Sequence, residues 1–528
     1  MSGRSKLALG IDVGTGTTKA VIADEAGKVL WQATASYQYQ SPRPHYAEQD
    51  PEDWWRAVCH VTRRLFRKWP ETRKRIAAVA VSGQGVAAVL LDSRGRVLRP
   101  AILWLDRRSA DDAEQLQACC GDRAVAISGK IPASYNFEPK LRWIQRHEPA
   151  IWSSCWKAFT TTSFVTYRLA GNPVMNHSDG GILLAYDLAG RRWSNELLGL
   201  MGLPDSVYCE LAESDAVIGK ITEQAAAATG IPAGVPVVAG GEDTSSAGLA
   251  IGALTSETGQ LSLGTANTVN VPINCPAVHP RLLAFPHVLR GWTLIGGSLS
   301  SGGLATHWIG KILSGNSSAA SISSTNRFTR EAATIAPGSD GLIFLPYLAG
   351  ELQPINDGFA RGMFFGLNAE MGRAHLVRAV LEGNALAIEH NLSLAKTVGA
   401  VPKQLVAVGG PARNALLCQI IADVTGLSVR VMDESGGAAL GSAILAAHGV
   451  RMTSSMKAMQ AAHARQRDVF QPDLERHMAY QEVFKTYVEL YPRIKDLYPR
   501  PCSSPGIESR RVNSRVHLQQ TNTRPGLC

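Results

Sequence analysis

The stretch Asp12-Val13-Gly14-Thr15-Gly16-Thr17-Thr18-Lys19-Ala20 follows the apolar run Leu7-Ala8-Leu9-Gly10-Ile11 and precedes Val21-Ile22. Apolar runs on both sides of a Gly/Thr-rich turn predict two strands joined by a tight loop. Gly14 and Gly16 let the backbone come close to a ligand and aim its N–H groups outward. Thr15, Thr17 and Thr18 add hydroxyl donors, and Lys19 adds a positive charge. Together these groups suit a polyphosphate. Asp12 suits a Mg²⁺ ion held through water, because that ion prefers oxygen ligands and keeps much of its hydration. The same residues also make an ordinary hairpin with a solvated lysine, and the stretch alone leaves both readings open.

The form recurs far down the chain. Leu261-Ser262-Leu263-Gly264-Thr265-Ala266-Asn267-Thr268-Val269-Asn270-Val271 again runs an apolar strand into Gly-Thr, with Thr and a β-branched run beyond. Two such hairpins, one per half, predict a duplicated architecture that holds phosphates from both sides.

Bulk properties agree with a multidomain globular protein. A chain of 528 residues is too long for one core and should divide into two or three domains. Hydrophobic residues make up 45% and charged residues 18%, as in ordinary soluble proteins. No apolar run approaches the ~20 residues of a membrane span. Arg4 and Lys6 precede an apolar stretch, but Gly10 and Asp12 interrupt it too early for a signal peptide. The nine cysteines have no metal-ligand spacing and suit a reducing cytoplasm better than a disulfide framework. The net charge of +9 raises the question of nucleic acid. Much of it lies in Arg63, Arg64, Arg67, Lys68, Arg73, Lys74 and Arg75, on a predicted helix whose apolar side is Val58, Val61, Leu65 and Phe66. A solvated face explains that cluster, and no aromatic-rich nucleic-acid module accompanies it.

Asp50-Pro51-Glu52-Asp53 predicts a helix start. Buried strands are expected over Ile76–Val81, Ala87–Leu91, Ala101–Trp104, Val235–Ala239, Leu342–Leu345, Leu405–Val408 and Val429–Met432. Helices are expected over Ser109–Cys120, Pro139–His147, Thr244–Ala253, Arg373–Ala395, Arg413–Val424 and Gly437–Ala447. Asp179 to Pro204 reads as loops with short strands, Gly240-Gly241 as a break after a strand, and Ser314 to Asn326 as a loop or weak helix start. Beyond about Tyr498 the composition predicts a disordered tail.

Candidate site residues lie at strand ends, where α/β folds keep their ligands. Asp243 falls at or near a helix N-terminus, where the dipole favours its ionised form. It could accept the proton of a hydroxyl that attacks a phosphate, or simply cap the helix. Gly409, Gly410 and Asn414 join a strand to a helix and could take an adenosine, or form a structural turn. Gly436 to Ala443 could pack on a nucleotide or on a sheet. Gln84, Gly85, Trp104, Asp106 and Arg107 combine amide, carboxylate and aromatic groups of the kind a sugar site uses. They could equally be a core tryptophan and a surface ion pair. The 13 histidines have no paired metal-ligand spacing, and no GxSxG, protein-kinase or GxxxxGK[ST] motif occurs.

In this order the pieces resemble the FGGY carbohydrate kinases of the actin/hexokinase/Hsp70 superfamily, from about Leu7 to about Glu489. Gly362-Met-Phe364-Phe-Gly366-Leu367, followed by His375-Leu376 and Ala379-Val380-Leu381-Glu382, fits the family's C-terminal signature. Lys140, Leu141, Trp143 and Ile144 resemble the N-terminal one, with Phe137 where a small residue or proline is usual. The resemblance implies an α/β fold of two ribonuclease H-like domains with the active site in the cleft between them. It assigns 1–253 to a sugar-binding N-terminal domain and 254–490 to a nucleotide-binding C-terminal domain, and composition leaves 491–528 as a basic, disordered tail. It also implies ATP and Mg²⁺, with Asp12 near the metal and Asp243 as catalytic base. Gly14, Thr15, Thr17, Thr18 and Lys19 would form the first phosphate loop, Gly264 and Thr265 the second, and Gly409, Gly410 and Asn414 the adenosine site.

Within the family, Ser82-Gly83-Gln84 and Leu98 to Trp104, then Asp106 and Arg108, are most similar to the xylulose kinases. Gly85-Val86 stands where those enzymes usually carry Met-His, Ser163 replaces a common Asp, and Leu352 stands where Arg is usual. The expected reaction is phosphorylation of a terminal hydroxyl of a ketopentose, with xylulose foremost. Erythritol, ribulose, gluconate or glycerol as acceptor, or a binding-only regulator, are the alternatives. The expected partner is a small sugar or polyol in the cytoplasm, without nucleic acid or membrane; a homodimer is left open.

Overall fold

The structure is a computed structural model that describes residues 5–315, 322–433, 436–463 and 465–498. The predicted tail beyond Tyr498 lies outside the described residues, as does part of the Ser314–Asn326 stretch.

Two large sheets organise the chain. The first is six-stranded and contains β1 (Leu7–Val13), β2 (Thr17–Asp24), β3 (Val29–Ser36), β4 (Ile76–Gly83), β5 (Val217–Lys220) and β6 (Pro236–Glu242), in the order β5-β6-β4-β1-β2-β3. The second is seven-stranded, with β7 (Thr258–Leu263), β8 (Asn267–Ile273), β9 (Leu283–Pro286), β10 (Thr293–Leu299), β11 (Gln404–Val408), β12 (Ser428–Met432) and β13 (Gln466–Phe470), in the order β9-β10-β8-β7-β11-β12-β13.

The sheets share a topology. In the first, β2 is antiparallel to β1 and β3, while β4 is parallel to β1 and β6 parallel to β4. In the second, β8 is antiparallel to β7 and β10, while β11 is parallel to β7 and β12 parallel to β11. Each Gly-Thr hairpin therefore occupies the same place in its sheet, as the duplicated motif predicts.

The helices that position the site are α1 (Pro51–Lys68), α2 (Phe137–His147), α3 (Thr161–Ala170), the single turn α4 (His177–Gly180) and α5 (Asp243–Ile251), then α6 (Gly302–Leu313), α7 (Arg373–Lys396), α8 (Ala415–Thr425), α9 (Gly437–Gly449) and α10 (Leu474–Ile494). Asp50 caps α1 by accepting from the Glu52 N–H, with Pro51 in the first turn. Val58, Val61, Leu65 and Phe66 are buried, so the basic residues of α1 form its solvated side.

Several expectations are corrected. The helix predicted to Cys120 runs on to Ser128, where Gly129 ends it in the left-handed conformation. Two predicted strands are shorter than expected, Val89–Leu91 and Ala101–Ile102, with Ala88 joined to Ile102 by a single bridge. Asp179–Pro204 contains a helix, Asn195–Met201, capped by Ser194. The strand before Asp243 does not stop at Gly240. Its register against β4 shifts between Val238 and Gly241, and a Cβ on Gly240 (φ +77°) would lie 1.9 Å from the Val81 carbonyl oxygen. The glycine allows a bulge with close strand approach, and the strand continues to Glu242. Residues 491–498 are not tail: α10 extends to Ile494, and the Tyr498 hydroxyl donates to the Arg361 carbonyl.

Although α9 belongs to the second half of the sequence, it packs on the first sheet. Ala439, Leu440, Ala443 and Ile444 share one apolar cluster with Ala8, Val21, Ala78, Ala80 and Val238. A Cβ on Gly10 would sit 1.9 Å from the Ala439 carbonyl oxygen, so the strand needs glycine there. Of the two readings for Gly436–Ala443, packing on a sheet is the one observed.

Candidate active site

Parallel strands β1, β4 and β6 end side by side, and their C-terminal ends bring Asp12, Gln84 and Asp243 to one edge of the sheet. Ser82 pairs in register with Asp12 on one side and with Gly241 on the other. Its hydroxyl donates to Asp12 Oδ1 at 2.9 Å.

Asp243 is the first residue of α5, but it is not the cap. Glu242 caps the helix, its Oε2 accepting from the Ser245 N–H at 2.9 Å. The Glu242 N–H donates to Ser178 Oγ at 3.0 Å, and that hydroxyl donates to Asn176 Oδ1 at 2.7 Å. The start of α5 is thus held from α4. Asp243 is half-buried, and its Oδ1 accepts from the Thr244 hydroxyl at 3.2 Å. Sequence reasoning offered a cap or a base. The adjacent acid takes the cap, so the Asp243 carboxylate is not spent on the helix N–H groups.

Carboxylates crowd this edge. Burial, then the charge of Asp243, pushes Asp12 up to about 7, against the Ser82 hydrogen bond and the Lys19 charge. Asp179 on α4 is fully buried, and burial raises it to about 7, opposed by the Thr160 hydroxyl and reinforced by Asp243. Its Oδ2 accepts from Thr160, the cap of α3, and its Oδ1 has no partner. Glu242 is driven well above the usual carboxylate range by burial and then by Asp243. The neighbouring acids therefore resist ionising beside one another. Asp179 and Glu242 were missed as site residues. The one available signal was Gly-Gly-Glu-Asp itself, two acids at one helix start of which only one can cap.

The first hairpin divides by strand periodicity. Thr17 is exposed and Lys19 half-buried, with Lys19 paired opposite Asp12. Thr18 faces the other way: it is fully buried, and its hydroxyl lies 3.1 Å from the Tyr37 hydroxyl, which donates to the Gly14 carbonyl. Thr18 is thereby turned away from the face that carries Thr17 and Lys19. The Thr15 hydroxyl donates to Gln84 Oε1 at 2.9 Å and accepts from Trp104 Nε1 at 3.0 Å. It links the first hairpin to the segment that holds Gln84 and Trp104.

In that segment Trp104 is 37% exposed, with its indole N–H engaged, and Gln84 is buried with Nε2 donating to Gln49. Asp106 does not fit a substrate role. It is fully buried; one oxygen takes the Ala47 N–H, and both take the Arg108 guanidinium. Arg107 donates to the carbonyls of Trp104 and Asp106 and so braces the same turn.

On the second sheet, β7 and β11 are parallel and end together at Gly264 and Gly409. The Gly303 N–H at the start of α6 donates to the Gly264 carbonyl at 2.8 Å, and the Leu304 N–H to that of Thr265 at 3.0 Å. Thr265 is exposed. Gly409 (φ +110°) must be glycine, because a Cβ would lie 1.8 Å from the Leu263 carbonyl oxygen. Gly410 opens on free space. Asn414 caps α8, its Oδ1 accepting from the Leu417 N–H and its Nδ2 donating to Thr329 at 3.4 Å.

Among the described residues no group of three or more His, Cys, Asp or Glu side chains is arranged to hold a metal, and no helix is long and apolar enough to cross a membrane.

Comparison with known proteins follows the same division of the chain. The N-terminal domain of the FGGY family of carbohydrate kinases matches residues 7–250, and the C-terminal domain of that family matches residues 259–450. The xylulose kinase of Escherichia coli (strain K12) is 31% identical over 500 residues, covering 93% of this chain and 99% of the relative. The gluconokinase of Bacillus subtilis (strain 168) is 28% identical over 464 residues, covering 85% of this chain and 89% of the relative. The crystal structure of xylulose kinase from Rhodospirillum rubrum superposes with a TM-score of 0.89 at 30% identity, over 94% of this chain and 100% of that one.

Proposed function

The chain belongs to the FGGY family of carbohydrate kinases, and on that premise we propose that it transfers the γ-phosphate of ATP to a terminal hydroxyl of a ketopentose, xylulose before others. The observation that carries the mechanism is Asp243, half-buried at a helix start whose cap is Glu242. A carboxylate there can accept the hydroxyl proton. The acceptor oxygen then bonds to the γ-phosphorus as the bond to the bridging oxygen of ADP breaks.

The first-sheet half holds the acceptor in this reading, against Trp104, Gln84 and Gly85. Arg107 and Asp106 support that wall from behind. The second-sheet half holds the nucleotide at Gly264, Thr265, Gly409 and Gly410. Asn414 Oδ1 is committed to its helix, so only its amide N–H is offered to an adenosine. Gly14, Thr15 through its backbone, Thr17 and Lys19 face the phosphates from the other side.

A Mg²⁺ ion fits Asp12. That carboxylate is half-buried and repelled by Asp243, so a cation beside it would favour its ionised form. One protein carboxylate leaves the remaining positions to water and phosphate oxygens, the coordination Mg²⁺ favours. The ion would neutralise charge on the transferring phosphoryl group. Closure of the two halves would exclude water as a competing acceptor.

The test is ADP release in a coupled assay against D-xylulose, L-xylulose, D-ribulose, L-ribulose, erythritol, xylitol, gluconate and glycerol. Xylulose is expected as the strongest acceptor, and Asp243→Ala should lower kcat by ~10²–10⁴. Normal turnover in that variant would defeat the assignment of the base. A preference for gluconate would replace xylulose without touching the mechanism, and the gluconokinase relative makes it the acceptor to test next. A small-molecule acceptor and a cytoplasmic location complete the reading.

A further inference from the structure

Gly85 is half-exposed between buried Gln84 and Val86, on the loop that follows β4. A Cβ built on it would sit 2.5 Å from Ile182 Cδ1 and 3.8 Å from Glu242 Cγ and Oε1. The space that a side chain at position 85 would fill is therefore taken by the end of Ile182. That space borders the residue immediately before Asp243.

Ile182 reaches this point from the loop after α4. It is half-buried, with its body packed on the first apolar core. On the other side, Gln84 is tied to Thr15, and Thr15 to Trp104. A chain of neighbours thus runs from the exposed indole, through Thr15 and Gln84, to Gly85, whose open side borders both the Ile182 methyl and Glu242 at the start of α5. The Trp104 indole N–H, the Thr15 hydroxyl and the Gln84 amide on that path are each hydrogen-bonded. Ile182 is its apolar member, and a methyl cannot hydrogen-bond an acceptor hydroxyl.

We propose that Ile182 is a specificity-determining residue of the acceptor site, its Cδ1 supplying the surface that Gly85 lacks. The inference rests on the sugar-kinase reading. An acceptor whose carbon presents hydrogen toward this methyl loses nothing on binding. One that presents a hydroxyl or carboxylate there gives up water without a replacement partner. Pocket differences of about one methyl discriminate by ~10- to 200-fold in kcat/KM.

Ile182→Val removes Cδ1 and keeps the β-branch, so it isolates the atom in question. The experiment measures kcat/KM for the acceptors named above in the wild type, Ile182→Val, Gly85→Ala and the double variant, with melting temperatures alongside. Ile182→Val is expected to change the ratio between the best and second acceptor at least ~10-fold, with the KM for ATP within ~2-fold and the melting temperature nearly unchanged. Gly85→Ala pushes on Cδ1 and should also shift the ratio, and that shift should shrink once Cδ1 is gone. If Ile182→Ala, the larger deletion, also leaves every ratio within ~2-fold while turnover persists, the inference is overturned and the kinase reading stands. Absence of ADP release from the wild type with every acceptor would refute the kinase reading and this inference with it.

Discussion

Lys140→Met should damage the acceptor site more than the nucleotide site. Val86 has φ +52°, a left-handed conformation that costs a side-chain-bearing residue ~1–2 kcal/mol and is worst for a β-branched one. Lys140, fully buried on α2, donates through Nζ to the Val86 carbonyl at 2.7 Å and to the Tyr135 carbonyl at 2.8 Å. Burial holds its amine well below the usual lysine range. Two such hydrogen bonds contribute ~1–3 kcal/mol net, the same size as the strain they oppose. Methionine keeps the apolar stem and removes both, so the loop carrying Gln84 and Gly85 should relax out of place. At ~1.4 kcal/mol per tenfold, the expected loss is ~10- to 100-fold in kcat/KM for the acceptor. The KM for ATP should change less than the acceptor constant, because Gly264 and Gly409 end strands of the other sheet and the displaced loop reaches the phosphate side through Thr15, bonded to Gln84. Glycine adopts positive φ without steric cost, so Val86→Gly added to Lys140→Met should recover about 5-fold or more. Initial rates with each substrate varied would measure both effects. Equal damage to the ATP and acceptor constants, or no recovery in the double variant, would refute the clamp.

Two further outcomes follow from the same geometry. Asp179 is raised to about 7 in the fold, against ~3.9 when unfolded, so between those values the native state keeps a proton the unfolded state has lost. Wild-type stability should fall as pH rises from about 4 to about 7. Asp179→Asn cannot ionise, and its advantage over wild type should grow across that window to at most ~4 kcal/mol; parallel urea curves for the two proteins at pH 5 and pH 8 would contradict this. Gly441→Ala would put a Cβ 1.9 Å from the Ser246 carbonyl oxygen, forcing α9 away from the helix that begins with Asp243. A loss of ~1–3 kcal/mol in stability with a lowered kcat is expected, and an unchanged melting curve would count against that contact.

Local chemistry made much of the fold legible. Both hairpins, the capped start of α1 and the long helix α7 follow from periodicity and caps within a few residues. Side-chain direction was harder. Thr18 and Thr17 are adjacent hydroxyls in the sequence, and only pairing with Tyr37 across the sheet shows which one is spent inside. Asp106 suggested a ligand, yet its lone pairs are consumed by Arg108 and the Ala47 N–H from a distant segment. Glu382, prominent in the C-terminal signature, is buried under Arg378, Tyr480, Ser339 and the Gly338 N–H. Its place in the motif reflects a packed polar cluster within the second half.

The sequence by itself carried the family resemblance in its signature motifs, and it determined the duplicated strand–turn–strand units and the strand ends that carry Asp12, Gln84, Asp243, Gly264 and Gly409. Those are properties of neighbours along the chain: hydrophobic period, glycine freedom and capping chemistry. Tertiary structure alone decided which of Glu242 and Asp243 caps the helix, that α9 crosses to the first sheet, and that Ile182 fills the space over Gly85. Each of these depends on atoms brought within a few ångströms by residues tens to hundreds of positions apart, where packing and desolvation select one arrangement from several that local rules allow.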